Sequence, residues 1–149
     1  MRTKSRIVVE ELVARGHPNV QATHRTTFEI TKETFLTPRG DCIIAVCASK
    51  GAADLSTAFK EAVKRDGTLI VIELHAGDLY EEVRAYGSKS LILTSPFSMV
   101  VRKSDYIDPR TIAIRANKAA ADLKRELIDF LKDPRTVVRI VLKAFLEDY

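Results

Sequence analysis

All three histidines of this 149-residue chain lie in its first half, among other polar residues that could do chemistry. His17, Asn19, His24, Arg39 and Asp41 fall within one stretch, and His75 closes the half. His24 and Asp41 are of the types that form a general base and its orienting carboxylate, and Arg39 could hold an anion. That set would suit a small enzyme, hydrolytic in kind. It contains no recognisable nucleophile, because Ser49 and Thr26 sit in no elbow or triad motif. Each member also has a plainer reading: His17 in a turn, His24 hydrogen-bonded on an inward face, Arg39 paired with Asp41. His17, His24, Asp41 and Cys42 show no HxH, HxxxH or CxxC spacing, so the sequence assigns no metal and identifies no cofactor.

A second reading is a binding or scaffold module for an anionic ligand. Net charge is +4, which favours an anionic partner such as RNA, a nucleotide or another small anion. Residues 102–125 are the densest basic stretch, with seven Lys or Arg against three Asp. Arg102, Lys103, Arg110 and Lys118 are its candidate ligand contacts; His17, Asn19 and Lys50 are the candidates elsewhere. Lys50 and Lys118 each stand between a strand and a helix, where amide N–H groups favour phosphate. No Gly-rich phosphate loop accompanies them, and Ser49 and Asn117 there are equally good helix caps. Paired aromatics of the kind that stack bases are not evident. Glu10-Glu11 and Glu81-Glu82 could bring two carboxylates together across an axis, although cross-strand ion pairs are the commoner outcome.

The elements that must position these residues come in two similar sets. Residues 43–74 lie over 111–142 at a constant offset of 68, with 12 identities in 32 pairs; unrelated sequence would give about two. Residues 8–39 lie over 79–110 at offset 71, with eight identities. The offset changes because the first half carries three extra residues, which the alignment places at Gly40, Asp41 and Cys42. We read one domain, 1–149, made of two repeats at about 7–75 and 78–143.

Each repeat reads as β-β-β-α-β. The strands are 8–15, 20–31, 42–48 and 68–75, then their matches in the second half. Alternation from Val20 to Ile30 is the period-two signature of a half-buried strand. Ala52, Leu55, Phe59, Ala62 and Val63 form a helical stripe that Gly67 ends; Ala120, Leu123, Leu127, Phe130 and Leu131 form its match, stopped by Pro134. Strand, helix and strand over this length predict a parallel crossover within a mixed sheet in each half. The expected class is α+β, two mixed sheets around a pseudo-twofold axis that either pack together or close into a barrel. Cys42 and Cys47 read as buried thiols facing opposite ways. No apolar run reaches membrane-spanning length and the N-terminus lacks a signal-type stretch, so a cytoplasmic protein without membrane contact is expected, with a homodimer as an option.

Four separated strings resemble an archaeal domain-of-unknown-function family: Gly16-His17-Pro18-Asn19-Val20 with Thr23-His24, Leu36 to Ile43, Met99 to Tyr106, and Lys118 to Leu123. The resemblance spans nearly the whole chain and implies an archaeal cytosolic protein. It brings no activity, cofactor or site residue with it. The family's second Thr-His pair is here Thr94-Ser95, which weighs against any role needing both histidines.

Overall fold

The computed structural model describes residues 4–148. Its elements are β1 (Lys4–Arg15), β2 (Thr27–Thr31), β3 (Ile43–Ala45), α1 (Thr57–Val63), β4 (Leu69–Ala76), β5 (Leu79–Tyr86), β6 (Ser98–Arg102), β7 (Thr111–Ala113), α2 (Arg125–Leu131) and β8 (Val137–Asp148). A 3₁₀ turn precedes each helix, at Ala52–Asp54 and Ala120–Asp122. The order of elements in the first half therefore recurs in the second.

The class is α+β, with two open sheets. One is antiparallel, in the order β1-β8-β4-β5; the other is mixed, in the order β3-β2-β6-β7. Each sheet takes two strands from each half, so the expected sheet per half is corrected. The expected parallel crossover is corrected too. β3 lies in one sheet and β4 in the other, and the parallel pairs are β2–β3 and β6–β7. The physical reason lies in residues 46–56. Val46 bridges to Arg15 of the other sheet, Cys47 turns at φ 54°, and Ser56 starts a new helix by accepting the Phe59 N–H. That path carries the chain from one sheet to the other.

The alternation from Val20 to Ile30 holds only in part: Val20, Ala22, Phe28 and Ile30 are buried, but His24 is half-buried and Thr26 exposed, and only Thr27–Thr31 pairs as a strand, buried on both faces. Ala22 at φ 50° breaks the run, and its match Leu93 does the same at φ 57°. One buried cluster runs through both halves, including Leu12, Phe28, Phe59, Ile72, Met99, Leu127 and Ile140. Burial of such side chains, at roughly 25 cal/mol per Å² of apolar surface, is the main favourable term holding the sheets together.

Exchanging the halves maps each sheet onto itself, which defines a pseudo-twofold axis. It passes where matching residues face one another, at Glu29 opposite Val100 and at Glu73 opposite Val141. The halves also interlock. Gly16 N–H donates to Thr136 C=O at 3.0 Å and His17 N–H to Leu131 C=O at 2.9 Å. In return, Gly87 N–H donates to Thr68 C=O at 2.8 Å and Ser88 N–H to Val63 C=O at 3.0 Å. Each half thus closes the helix end of the other. A Cβ on Gly16 would fall 2.3 Å from the carbonyl oxygens of Leu131 and Asp133, so this shared glycine permits the close approach. Gly16→Ala is expected to cost about 2 kcal/mol or more in urea unfolding. Gly67→Ala, at φ 80° in open space, should cost only about 1 kcal/mol.

Candidate functional site

Glu10, Lys32, Lys50 and Asp54, and their counterparts Glu81, Lys103, Lys118 and Asp122, pair with one another. The Glu10 side chain, nearly buried on β1, pairs with Lys50 and accepts the Ser56 N–H at 2.8 Å. Glu81 on β5 accepts from Lys118 at 2.6 Å and from the Lys124 N–H at 2.6 Å. The glutamates and the lysines proposed as separate sites are therefore the two ends of one clamp, built twice. A carboxylate already fills the place a phosphate would take. Burial raises the Glu10 pKa, but Lys50 and the Ser56 N–H outweigh it and hold the carboxyl below its usual value. A second shared pair follows the same logic. Asp54 accepts from Lys32 at 3.0 Å and the Gly51 N–H at 2.8 Å; Asp122 accepts from Lys103 at 2.6 Å and the Ala119 N–H at 2.9 Å. Ser49 and Asn117 are not helix caps. They bond the backbone of Val13 and Arg84 on the edge strands.

The unmatched histidines do what serines do in the second half. His24 Nδ1 accepts the N–H groups of Thr26 and Thr27 at 3.2 and 3.1 Å. Ser95 Oγ accepts those of Phe97 and Ser98 at 3.3 and 3.2 Å. His17 Nδ1 accepts the Asn19 N–H at 3.0 Å, and Ser88 Oγ accepts the Ser90 N–H at 3.1 Å. Each ring nitrogen closes a turn as a hydroxyl would. Asn19 ties its turn to the next loop by donating to Leu36 C=O at 2.7 Å. His75 lies elsewhere, on the outer face of the first sheet, 3.0 Å from Glu73 and with its ring tilted at 57° against that of Tyr80.

Backbone bonding moves the three-residue insertion. Asp41 C=O accepts the Thr23 and His24 N–H groups, as Pro109 C=O accepts those of Thr94 and Ser95. Cys42 C=O bonds Glu29 as Arg110 C=O bonds Val100. Gly40, Asp41 and Cys42 therefore occupy the places of Asp108, Pro109 and Arg110. The additional residues are Thr37, Pro38 and Arg39, which make an extra turn closed by Gly40 N–H to Thr37 C=O at 3.0 Å. Arg39 stands exposed on that turn and, among the described residues, no acceptor reaches its guanidinium. Residues 23–25 run beside 39–41 through the Asp41 carbonyl, but no hydrogen bond joins the side chains of His24, Arg39 and Asp41. Arg25 in the same corner is likewise exposed and unpaired.

The other nominated cations are committed. Arg102 donates to Asp108 at 2.9 Å and to Thr111 Oγ1 at 2.9 Å; Arg110 reaches Asp108 at 2.7 Å and Glu29 at 3.2 Å. Cys42 Sγ also points at Glu29, at 3.7 Å. Burial and the neighbouring Glu29 charge push the Cys42 thiol up to about 11, so it stays protonated near neutrality. Cys47 is exposed rather than buried, because its positive φ turns it out of the strand.

Exposed aromatics are what the sequence reading missed. Phe35 is 66% exposed, and Tyr106, its match, is 63% exposed beneath an Arg102 guanidinium 4.8 Å from its ring centre. An aromatic at the same place in both halves, in an otherwise polar loop, was the available signal. Two open clefts, of about 600 and 430 Å³, lie around Gly67 with Phe145 and around Gly87 with Arg115; His24, Arg39 and Asp41 line neither. Among the described residues, no three His, Cys, Asp or Glu gather as metal ligands, and no helix is long and apolar enough to cross a membrane.

The fold and this geometry define an α+β protein of two interlocked halves, with its polar novelty on surface loops. The chain belongs to the domain-of-unknown-function family DUF371, whose model matches residues 12–144. It is similar to an uncharacterized protein of the archaeon Methanocaldococcus jannaschii, 46% identical over 125 residues, covering 84% of this chain and 92% of that protein.

Asp108 makes the network pH-sensitive. Burial raises its pKa, but the hydrogen bonds and charges of Arg110, with Arg102, bring it down to about 2. A folded value below the unfolded one, about 3.9, stabilises above about pH 4, and the gain disappears as pH falls through about 2. After solvent screening the gain is about 1–2 kcal/mol. Asp108→Asn should flatten the acid limb of stability against pH within that window, as followed by chemical denaturation.

Proposed function

We propose that this protein is a cytoplasmic binding module for an anionic ligand, RNA or a nucleotide, built by duplication of one β-β-β-α-β unit. The observation that carries the reading is the extra turn of the first half. It presents Arg39 without an acceptor, on the same loop as exposed Phe35 and beside His24 and Arg25. A guanidinium can take a phosphate while an exposed ring stacks on a base, and neither requires a deep pocket. Lys50, Lys103, Arg102, Arg110 and Lys118 act in this reading as scaffold, since each already holds a carboxylate.

The alternative, a hydrolytic enzyme centred on His24, Arg39 and Asp41, would use the same corner. The geometry supports it less, because His24 Nδ1 is spent on two amides and neither cleft includes the three residues. Fluorescence anisotropy with a labelled single-stranded RNA and with a labelled nucleotide tests the binding reading. Wild type should bind at least one of them, more weakly as salt rises. Arg39→Glu should weaken that binding about tenfold or more, corresponding to about 1.4 kcal/mol, while Lys118→Gln should matter less at equal folded fraction. Equal affinity of wild type and Arg39→Glu contradicts the assignment.

A further inference from the structure

We infer that the ligand of the extra turn is a single-stranded RNA that lies along residues 19–25 and also meets Arg125 and Lys132 of α2. This rests on the anion-binding reading and names the class of ligand. Residues 19–24 are the middle of three segments lying side by side. On one flank runs the loop that carries Phe35 and Arg39. Asn19 donates to Leu36 C=O there at 2.7 Å, and the Thr23 N–H donates to Asp41 C=O at 2.9 Å. On the other flank lies α2 with the turn before it. Lys132 donates to Val20 C=O at 3.0 Å, Arg125 to Ala22 C=O at 3.0 Å, and the Ala121 N–H to His24 C=O at 2.9 Å.

Cations therefore border this strip on both sides. Arg25 and Arg39 stand exposed and unpaired at one end. Arg125 and Lys132 have partners of a different kind from those of the clamp lysines. Arg125 donates to the carbonyls of Ala22, Ala120 and Leu123, and Lys132 to that of Val20. A neutral carbonyl fixes such a side chain without cancelling its charge, whereas a carboxylate does both. Asp122 is taken by Lys103. Asp41 and Asp129 are the carboxylates left on this face, since Glu126 points around the helix from Arg125 and Lys132. Arg25, Arg39, Arg125 and Lys132 thus leave positive charge in excess.

The second half supplies a comparison within the same molecule. Gln21, Arg25, Arg125 and Lys132 are matched there by Ile92, Pro96, Thr57 and Lys64, and Arg39 has no counterpart. The frame is common to both halves, so the frame does not require the cations of the first strip. The kind of ligand follows from how far they spread. Arg125 and Lys132 are seven residues apart in sequence, about 10 Å along a helix axis, and Arg39 lies across the strip from them. One phosphate cannot meet cations so dispersed, but successive phosphates of a strand can. Pockets for small ligands enclose most of the ligand, yet neither cleft of this protein includes these residues. An open basic strip beside an exposed ring suits a strand with splayed bases.

Equilibrium binding of uridine monophosphate and of an oligouridylate of about ten nucleotides, measured on the full chain over a salt series, tests this. The oligomer should bind about tenfold tighter or more at about 50 mM salt. Arg125→Gln and Lys132→Gln should each flatten the slope of log affinity against log salt by about 0.7, whereas Lys64→Gln, at the matching place, should leave it unchanged. Asp129→Asn removes a carboxylate from the face and should tighten oligomer binding about twofold or more, a gain that loss of fold cannot mimic. Equal affinity for the two ligands, with Arg39→Glu still weakening both, would overturn the inference and leave the anion site standing. Oligomer binding indifferent to the Arg125, Lys132 and Asp129 variants would overturn it as well. Binding of neither ligand would overturn the inference and the anion site together.

Discussion

A buried carboxylate at the start of each helix holds this structure together. Glu10 and Glu81 sit on the edge strands, and each reaches across to a lysine and to a backbone N–H at the helix entry. One side chain thereby fixes a strand, a connecting loop and a helix to one another. Leaving such a carboxylate without its cation would cost about 3–5 kcal/mol in a fully buried setting, and less here because the lysines are partly exposed. The clamp occupies the sheet edge and the helix start together, so residues that look like a phosphate site are already satisfied by the protein itself.

The twofold relation imposes a second constraint. Residues on the axis face their own matches, and two glutamates there would set like charges side by side. The chain places one Glu and one Val at each end of the axis. Each lone carboxylate then collects donors from both halves. Glu73 accepts from His75 and from Lys143, which are matching positions, at 3.0 and 2.8 Å. Glu29 receives Arg110 and Cys42, which are structural matches as well. Hydrogen bonds from Lys143 and His75 hold the Glu73 carboxyl below its usual value. Asymmetry at the axis thus serves the symmetric frame, whereas asymmetry at the Thr37–Gly40 turn serves nothing in the frame.

Much of this was legible in the sequence, and what was not has physical causes. The repeat marked the element order and many buried positions, such as Val20, Phe28, Phe59 and Leu127, but Phe130 of the second helical stripe is exposed, Ile128 takes its place in the core, and β2 is buried on both faces. It did not reveal the exchange of strands between sheets. That depends on left-handed residues at Ala22, Cys47, Leu93 and Arg115, types that carry no turn signal. Identity between Pro38-Arg39 and Pro109-Arg110 drew the alignment gap to the wrong side. Only the carbonyl bonding of Asp41 and Cys42 shows that Arg39 has no counterpart. His24 looked catalytic by type, yet its match Ser95 performs the same turn closure, as Ser88 does for His17.

Shared residues build the frame, and the extra turn is the part proposed to meet a ligand. Amide chemical-shift mapping of the ¹⁵N-labelled protein, titrated with single-stranded RNA and with a nucleotide, tests that division most directly. The account predicts shifts concentrated at His24, Arg25, Phe35, Arg39 and Asp41, with the amides around Lys50 and Lys118 unmoved. Shifts centred on the two helix starts, or no shifts with either ligand, would contradict it.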